Sequence, residues 1–142
     1  MKILIIDDKD YKYENIKNIL EKVVDNPEID WRKSRNSGLR TLVKHNLINK
    51  ENEPYDLLIT DNIMPMFDNE YKLEPFGEDI ISETRRLCDE NLTIVFCSSE
   101  EVEECAFDYK IKYDSRVYLD DKFRDIVYSV SLKKNRIKKL IK

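Results

Sequence analysis

Three aspartates stand where short apolar runs end. Ile3-Leu4-Ile5-Ile6 runs into Asp7-Asp8, and Leu57-Leu58-Ile59 passes through Thr60 into Asp61. A third run, Ile94-Val95-Phe96-Cys97, ends in the hydroxyls of Ser98 and Ser99. Runs of this length fit buried parallel strands. Pro65 and the residue before it resist helix, so the chain leaves Asp61 as a loop. Open α/β sheets bind their ligands at the carboxyl ends of strands. Carboxylates gathered there repel and raise one another's pKa. A divalent cation relieves that repulsion, and Mg²⁺ takes carboxylate, water and phosphate oxygens. The chemistry indicated is the binding of a hard divalent cation. Aspartates at strand ends also start loops and cap helices, and either serine could cap a helix that follows.

The elements that must hold these groups alternate. After the first strand, Ile16, Ile19, Leu20 and Val23 fall at helical spacing, and Asn26-Pro27 stops that helix. Ile29-Asp30-Trp31 reads as a short strand at or near a sheet edge. Asn36-Ser37-Gly38 precedes a second amphipathic helix through Leu39, Leu42, Val43 and Leu47. The polar stretch from Asn49 to Pro54 leads into the central strand. Ile80, Ile81, Thr84, Leu87 and Cys88 mark a third helix face after Gly77. Glu100-Glu101-Val102-Glu103-Glu104 is expected to open a fourth, with acids at its positive end. Arg116-Val117-Tyr118-Leu119 is expected to form the fifth strand, and Phe123, Ile126, Val127 and Val130 a final helix continuing toward Ile137 and Ile141. This alternation predicts an α/β, doubly wound, five-stranded parallel sheet with helices on both faces.

Length and composition narrow the function classes. The chain has 142 residues, enough for one domain, 1–142, with a real core. A net charge of -4 gives no basis for wholesale nucleic-acid binding. No apolar run approaches the roughly 20 residues of a membrane span, and the early strand argues against a signal peptide. Cys88, Cys97 and Cys105 form no CxxC pair, and His45 is the single imidazole, so zinc has little support. A reducing, cytoplasmic setting is expected. With only Gly38 and Gly77, no Gly-rich phosphate loop exists.

Taken together, the Asp7-Asp8 pair, Asp61-x-x-Met64-Pro65, Ser98, and Tyr118 ahead of Lys122 resemble a receiver domain of a two-component response regulator, of the chemotaxis-Y-like, flavodoxin-like kind. The resemblance covers essentially the whole chain. It implies that Asp61 accepts a phosphoryl group from a histidine kinase or phosphotransfer protein. Asp8 and Asp61 would ligate Mg²⁺ directly, Asp7 through water, and Ile63 by its carbonyl. Ser98 would bond the new phosphoryl group, Tyr118 would move with it, and Lys122 would supply the cation opposite the metal. Such a chain is a signalling module rather than an enzyme, acting by docking to a downstream protein, with no direct DNA binding and with a homodimer through the last strand and helix as one option.

Two places depart from the pattern. Receivers put lysine three residues after the aromatic, followed by proline; here that position is Asp121, Lys122 comes one later, and Phe123 replaces proline. Lys122 is expected to reach Asp61 through a bulge; otherwise Asp121 faces the pocket. The 62–76 segment, with two prolines and scattered aromatics, is longer than the usual receiver loop and reads as either a docking loop or a neutral insertion. Lys133, Lys134, Arg136, Lys138, Lys139 and Lys142 make a basic tail, read as a solvated helix face or, less simply, as a contact for an acidic partner, nucleic acid or anionic lipid. Two alternatives stand: a pseudo-receiver that is not switched, and a haloacid-dehalogenase-type phosphatase using Asp8-Lys9-Asp10 with Ser98 and Lys122.

Overall fold

The computed structural model describes residues 1–48, 53–88 and 91–141. Most of the polar approach at 49–54 lies outside the described residues, as do the side chains after Asn135, Ile137 and Ile141 among them. The elements in chain order are β1 (Lys2–Ile6), α1 (Asp10–Val23), β2 (Glu28–Arg32), α2 (Arg35–Val43) with a π-turn over Lys44–Ile48, β3 (Leu57–Thr60), β4 (Ile63–Met64), β5 (Glu74–Pro75), α3 (Gly77–Leu87), β6 (Thr93–Ser98), β7 (Tyr109–Lys112) and α4 (Asp120–Ile141). Five strands form one sheet in the order β2-β1-β3-β6-β7, and β4 pairs with β5 separately. Every pairing in the large sheet is parallel.

Side chains alternate across this sheet, as strand geometry requires. Ile3, Ile5, Leu57, Ile59, Val95 and Cys97 face one core with Ile16 and Leu20 of α1 and Phe123 and Ile126 of α4. Leu4, Ile6, Leu58, Ile94 and Phe96 face the other, with Leu42 of α2 and Ile80 and Ile81 of α3. Burial on both faces explains why β1, β3 and β6 read as unbroken apolar runs. The order reverses direction between β1 and β3, the place where doubly wound sheets open a crevice. Asp7 and Asp61 flank it.

The fifth strand is not where the sequence placed it. Tyr109 and Ile111 face the α1/α4 core while Lys110 and Lys112 are exposed, the alternation of a half-buried edge strand. The lysines also discourage further strand pairing at that edge. Ser115 and Arg116 form a turn and Val117 a bend instead. Asp114 folds it by accepting hydrogen bonds from the backbone of Arg116 through Oδ1 and of Val117 through its carbonyl.

The acidic stretch after Ser99 forms no helix either. Glu100, Glu101, Glu103 and Glu104 would stack like charges at three- and four-residue spacing. The segment runs irregularly, and its Val102, Cys105 and Phe107 pack against the α2/α3 core where a helix was expected. Phe107 meets the Phe96 ring edge-on. The described helices are therefore α1, α2, α3 and α4, two to each face. None is long and apolar enough to cross a membrane.

Candidate functional site

The backbone fixes each carboxylate before any side-chain chemistry begins. Asp7 follows β1, and its amide donates to Arg32 O while its Oδ1 accepts from Lys9 N at 3.0 Å. Trp31 Nε1 donates to Asp7 O at 2.7 Å. Asp61 follows β3; its amide donates to Ile6 O, and its Oδ1 accepts from Asn62 N at 2.8 Å. Asn62 O in turn accepts from Gly77 N, which ties the first turn of α3 to the site. A Cβ on Gly77 would lie 2.7 Å from Asp61 O, so this close approach needs glycine.

These turns bring Asp7, Asp8 and Asp61 together. Each presents a carboxylate oxygen within 4.8 Å of the others'. Asp7 and Asp61 are buried and Asp8 is half-buried at the mouth. The donor set is all oxygen, which suits a hard cation such as Mg²⁺. Ile63 lies two residues beyond Asp61 in β4, paired with Pro75. Ser98 closes β6, buried, with its Oγ accepting from Glu100 N at 3.2 Å. That bond caps a turn, not a helix.

Two lysines of the first helix region complete the pocket, and neither was singled out in the sequence. Lys12 Nζ lies 2.9 Å from Asp7 Oδ2 and 3.0 Å from Asp61 Oδ1, and donates to Cys97 O. An ammonium has three donors, and three acceptor oxygens surround this one. Burial alone would lower the pKa of Lys12, but the charge of Asp7, then the Cys97 side chain and Asp61, outweigh it and raise it. Burial raises the pKa of Asp7, opposed by Lys12 and reinforced by Asp61. These two directions pull the proton opposite ways. The contacts decide for a charged Lys12, because every partner of its nitrogen is an acceptor.

Lys9 sits at the mouth, with Nζ 2.7 Å from Asp61 Oδ2 and 3.2 Å from Asp8 Oδ1. Burial opposes its charge, yet the hydrogen bond and charge of Asp61 prevail and raise its pKa. The readable signal was Lys12 itself, a lone lysine on the stripe Lys12, Ile16, Ile19, Leu20. Lys9 left no such mark.

Tyr118, expected to switch with Ser98, and Lys122, expected at Asp61, both lie away from the carboxylates. Tyr118 is 92% exposed, and Lys122 is exposed in the first turn of α4. Lys122 lines a separate surface cavity with Ser99, Lys112 and Arg116. Asp121 does not face the carboxylates; it pairs with Arg124 at the surface. The reason is the shifted strand: the residue that follows β7 is Tyr113, buried, with the Lys12 ammonium 5.3 Å from its ring centre and its hydroxyl accepting from Asn15. Asp10 is also separate from the cluster, exposed and paired with Lys33, so the Asp8-Lys9-Asp10 phosphatase arrangement does not form.

The 62–76 segment is built rather than loose. Pro65 O and Met66 O accept from the amides of Arg35 and Asn36, and Asp68 Oδ1 accepts from the hydroxyls of Ser34 and Ser37. Ser34 caps α2 at the same place, so a carboxylate sits at that helix's positive end. Beside Asp8 this segment walls a cavity of about 550 Å³ lined by Trp31, Lys33, Asp68 and Tyr71.

No protein-family profile matches the sequence, and no curated protein matches it. Solved structures do match. A receiver domain from Methanospirillum hungatei superposes with a TM-score of 0.68 at 18% identity, covering 95% of this chain and 97% of that one. The Thermotoga maritima response regulator TrrA, in complex with Mg²⁺-BeF, gives 0.67 at 19% identity over 91% and 97%. TrrA in complex with the histidine kinase ThkA gives 0.62 at 18% over the same shares. The chain has the fold of response-regulator receiver domains.

Proposed function

We propose that the chain is a phosphoacceptor receiver of a two-component system, phosphorylated on Asp61 with Mg²⁺ and signalling by docking to another protein in the cytoplasm. The observation that carries this reading is the Asp61 carboxylate at the crevice of the sheet, with Asp7 and Asp8 beside it and Lys12 bound to Asp61 Oδ1. Asp8 and Asp61 would hold the metal, with Asp7 through water and the Ile63 carbonyl. Bound there, Mg²⁺ supplies positive charge to the transferring phosphoryl group. A carboxylate oxygen of Asp61 attacks the donor phosphorus. The P–N bond of a phosphohistidine, or the P–O bond of a small acyl phosphate, breaks as the new bond forms, and its electron pair leaves with the donor. The Lys12 ammonium takes the role first given to Lys122, holding positive charge at Asp61 Oδ1. Ser98, at the adjoining strand end, offers the hydroxyl. The chain turns over no substrate of its own in this reading. TrrA's complex with a histidine kinase supports a kinase as partner.

A second reading is the pseudo-receiver. Lys9 on Asp61 Oδ2 and Tyr113 after β7 favour it, since both depart from a switchable site. Beryllofluoride, a phosphoryl mimic, separates the two by fluorine NMR. The receiver reading expects a bound resonance that needs Mg²⁺ and vanishes in Asp61→Asn. No bound resonance at millimolar Mg²⁺ supports the pseudo-receiver.

A further inference from the structure

We propose that Lys9 is a tethered cation that holds the metal-facing oxygens of the pocket closed, so that Mg²⁺ and the phosphoryl group gain access only when its side chain swings out. The inference rests on the receiver reading of the same site. Lys9 Nζ bridges Asp8 Oδ1 and Asp61 Oδ2, one oxygen from each carboxylate proposed to hold the metal. Asp61 Oδ1 is already used by Lys12 and Asn62 N. Oδ2 is therefore the Asp61 oxygen left to face a metal beside Asp8, and Lys9 covers it. An ammonium and a divalent cation cannot share these two oxygens, because like charges at contact distance repel strongly.

Local helix physics gives no other reason for this lysine. Lys9 is the N-cap of α1, and its side chain makes no capping bond there. That position favours Ser, Thr, Asp or Asn, and the helix end disfavours positive charge. The two lysines also differ in freedom. The Lys12 side chain is 2% exposed and cannot leave, whereas that of Lys9 is 29% exposed and needs only to rotate into solvent. With Lys12 retained, departure of Lys9 leaves two carboxylate charges unmatched, which is what a divalent cation balances. The backbone beneath stays fixed, because Lys9 N donates to Asp7 Oδ1 and Lys9 O accepts from Tyr13 N.

The test is a MgCl₂ titration of the full chain, followed by fluorescence of Trp31, the single tryptophan, whose indole donates to Asp7 O, and by calorimetry. Lys9→Met keeps the stem and removes the charge; Lys9→Gln is the second variant, and circular dichroism establishes that each is folded. Both should bind Mg²⁺ about tenfold more tightly than wild type, a change of about one decade in Kd, while Lys9→Arg stays near wild type. Wild type and neutral variants binding Mg²⁺ equally would overturn the inference and leave the receiver reading intact. Folded proteins that bind no Mg²⁺ in either form would overturn both. Binding by the neutral variants alone would support the inference and make the wild-type chain a locked receiver.

Discussion

Lys12 Nζ stands 3.0 Å from Asp61 Oδ1, reaching it from the first helix and not from the end of the last strand. A positive charge thus reaches Asp61 from the first helix, inside the crevice between β1 and β3, while Lys122 lies exposed on α4. Because Lys12 is buried and also bonded to Asp7 and Cys97 O, it holds three pieces of the sheet end together. Removing one partner of a buried ion pair typically costs about 3–5 kcal/mol. Lys12→Met should fall in that range in urea unfolding, and a loss below about 1 kcal/mol would show that the cluster is not assembled this way.

Lys122→Ala and Tyr118→Ala give the opposite expectation. Both residues are exposed and neither touches the carboxylates. Each change should leave stability within about 0.5 kcal/mol and leave phosphorylation of Asp61 unaltered. The comparison with Lys12→Met in one acyl-phosphate assay decides which lysine serves the site.

Gly77→Ala offers a test by sign. In an open helix this change gains up to about 1 kcal/mol. Here the added methyl would lie 2.7 Å from Asp61 O and from the Phe96 ring. Overpacking of this kind costs about 1–3 kcal/mol, so the melting temperature should fall. A rise would show that α3 does not press on the Asp61 turn.

The thiols report on the same sheet end. Burial pushes the Cys97 thiol up to about 12, moderated by Lys12. At pH 8 it stays protonated, and thiolate is the reactive form. In the folded protein iodoacetamide should modify half-buried Cys105 well before Cys97, as read by peptide mass spectrometry. Reactivity of Cys97 should rise only as the pH approaches its pKa or as the protein unfolds.

Much of this was legible in the sequence, for reasons tied to particular residues. Ile3 to Ile6, Leu57 to Ile59 and Ile94 to Cys97 are buried on both sheet faces, so they read as unbroken apolar runs and their ends located Asp7, Asp8, Asp61 and Ser98. The edge strand was misplaced because Tyr109-Lys110-Ile111-Lys112 alternates, whereas Arg116-Val117-Tyr118-Leu119 looks apolar but is folded by Asp114. The Glu100–Glu104 stretch looked like a helix start by composition, and its repulsive spacing was the better guide. Lys12 was written into the apolar stripe of α1, yet its target, 49 residues away in Asp61, becomes visible only when β1 and β3 pair. Lys9 carried no periodic signature at all, since its position follows from the turn that Asp7 folds.

The most direct measurement is incubation of the full chain with acetyl phosphate, with Mg²⁺ or with a chelator, followed by intact mass and peptide mapping. The account predicts one phosphoryl group on wild type in Mg²⁺, mapped to Asp61, lost with the chelator and absent from folded Asp61→Asn. An unlabelled wild-type chain in Mg²⁺, or equal labelling of Asp61→Asn, would contradict it.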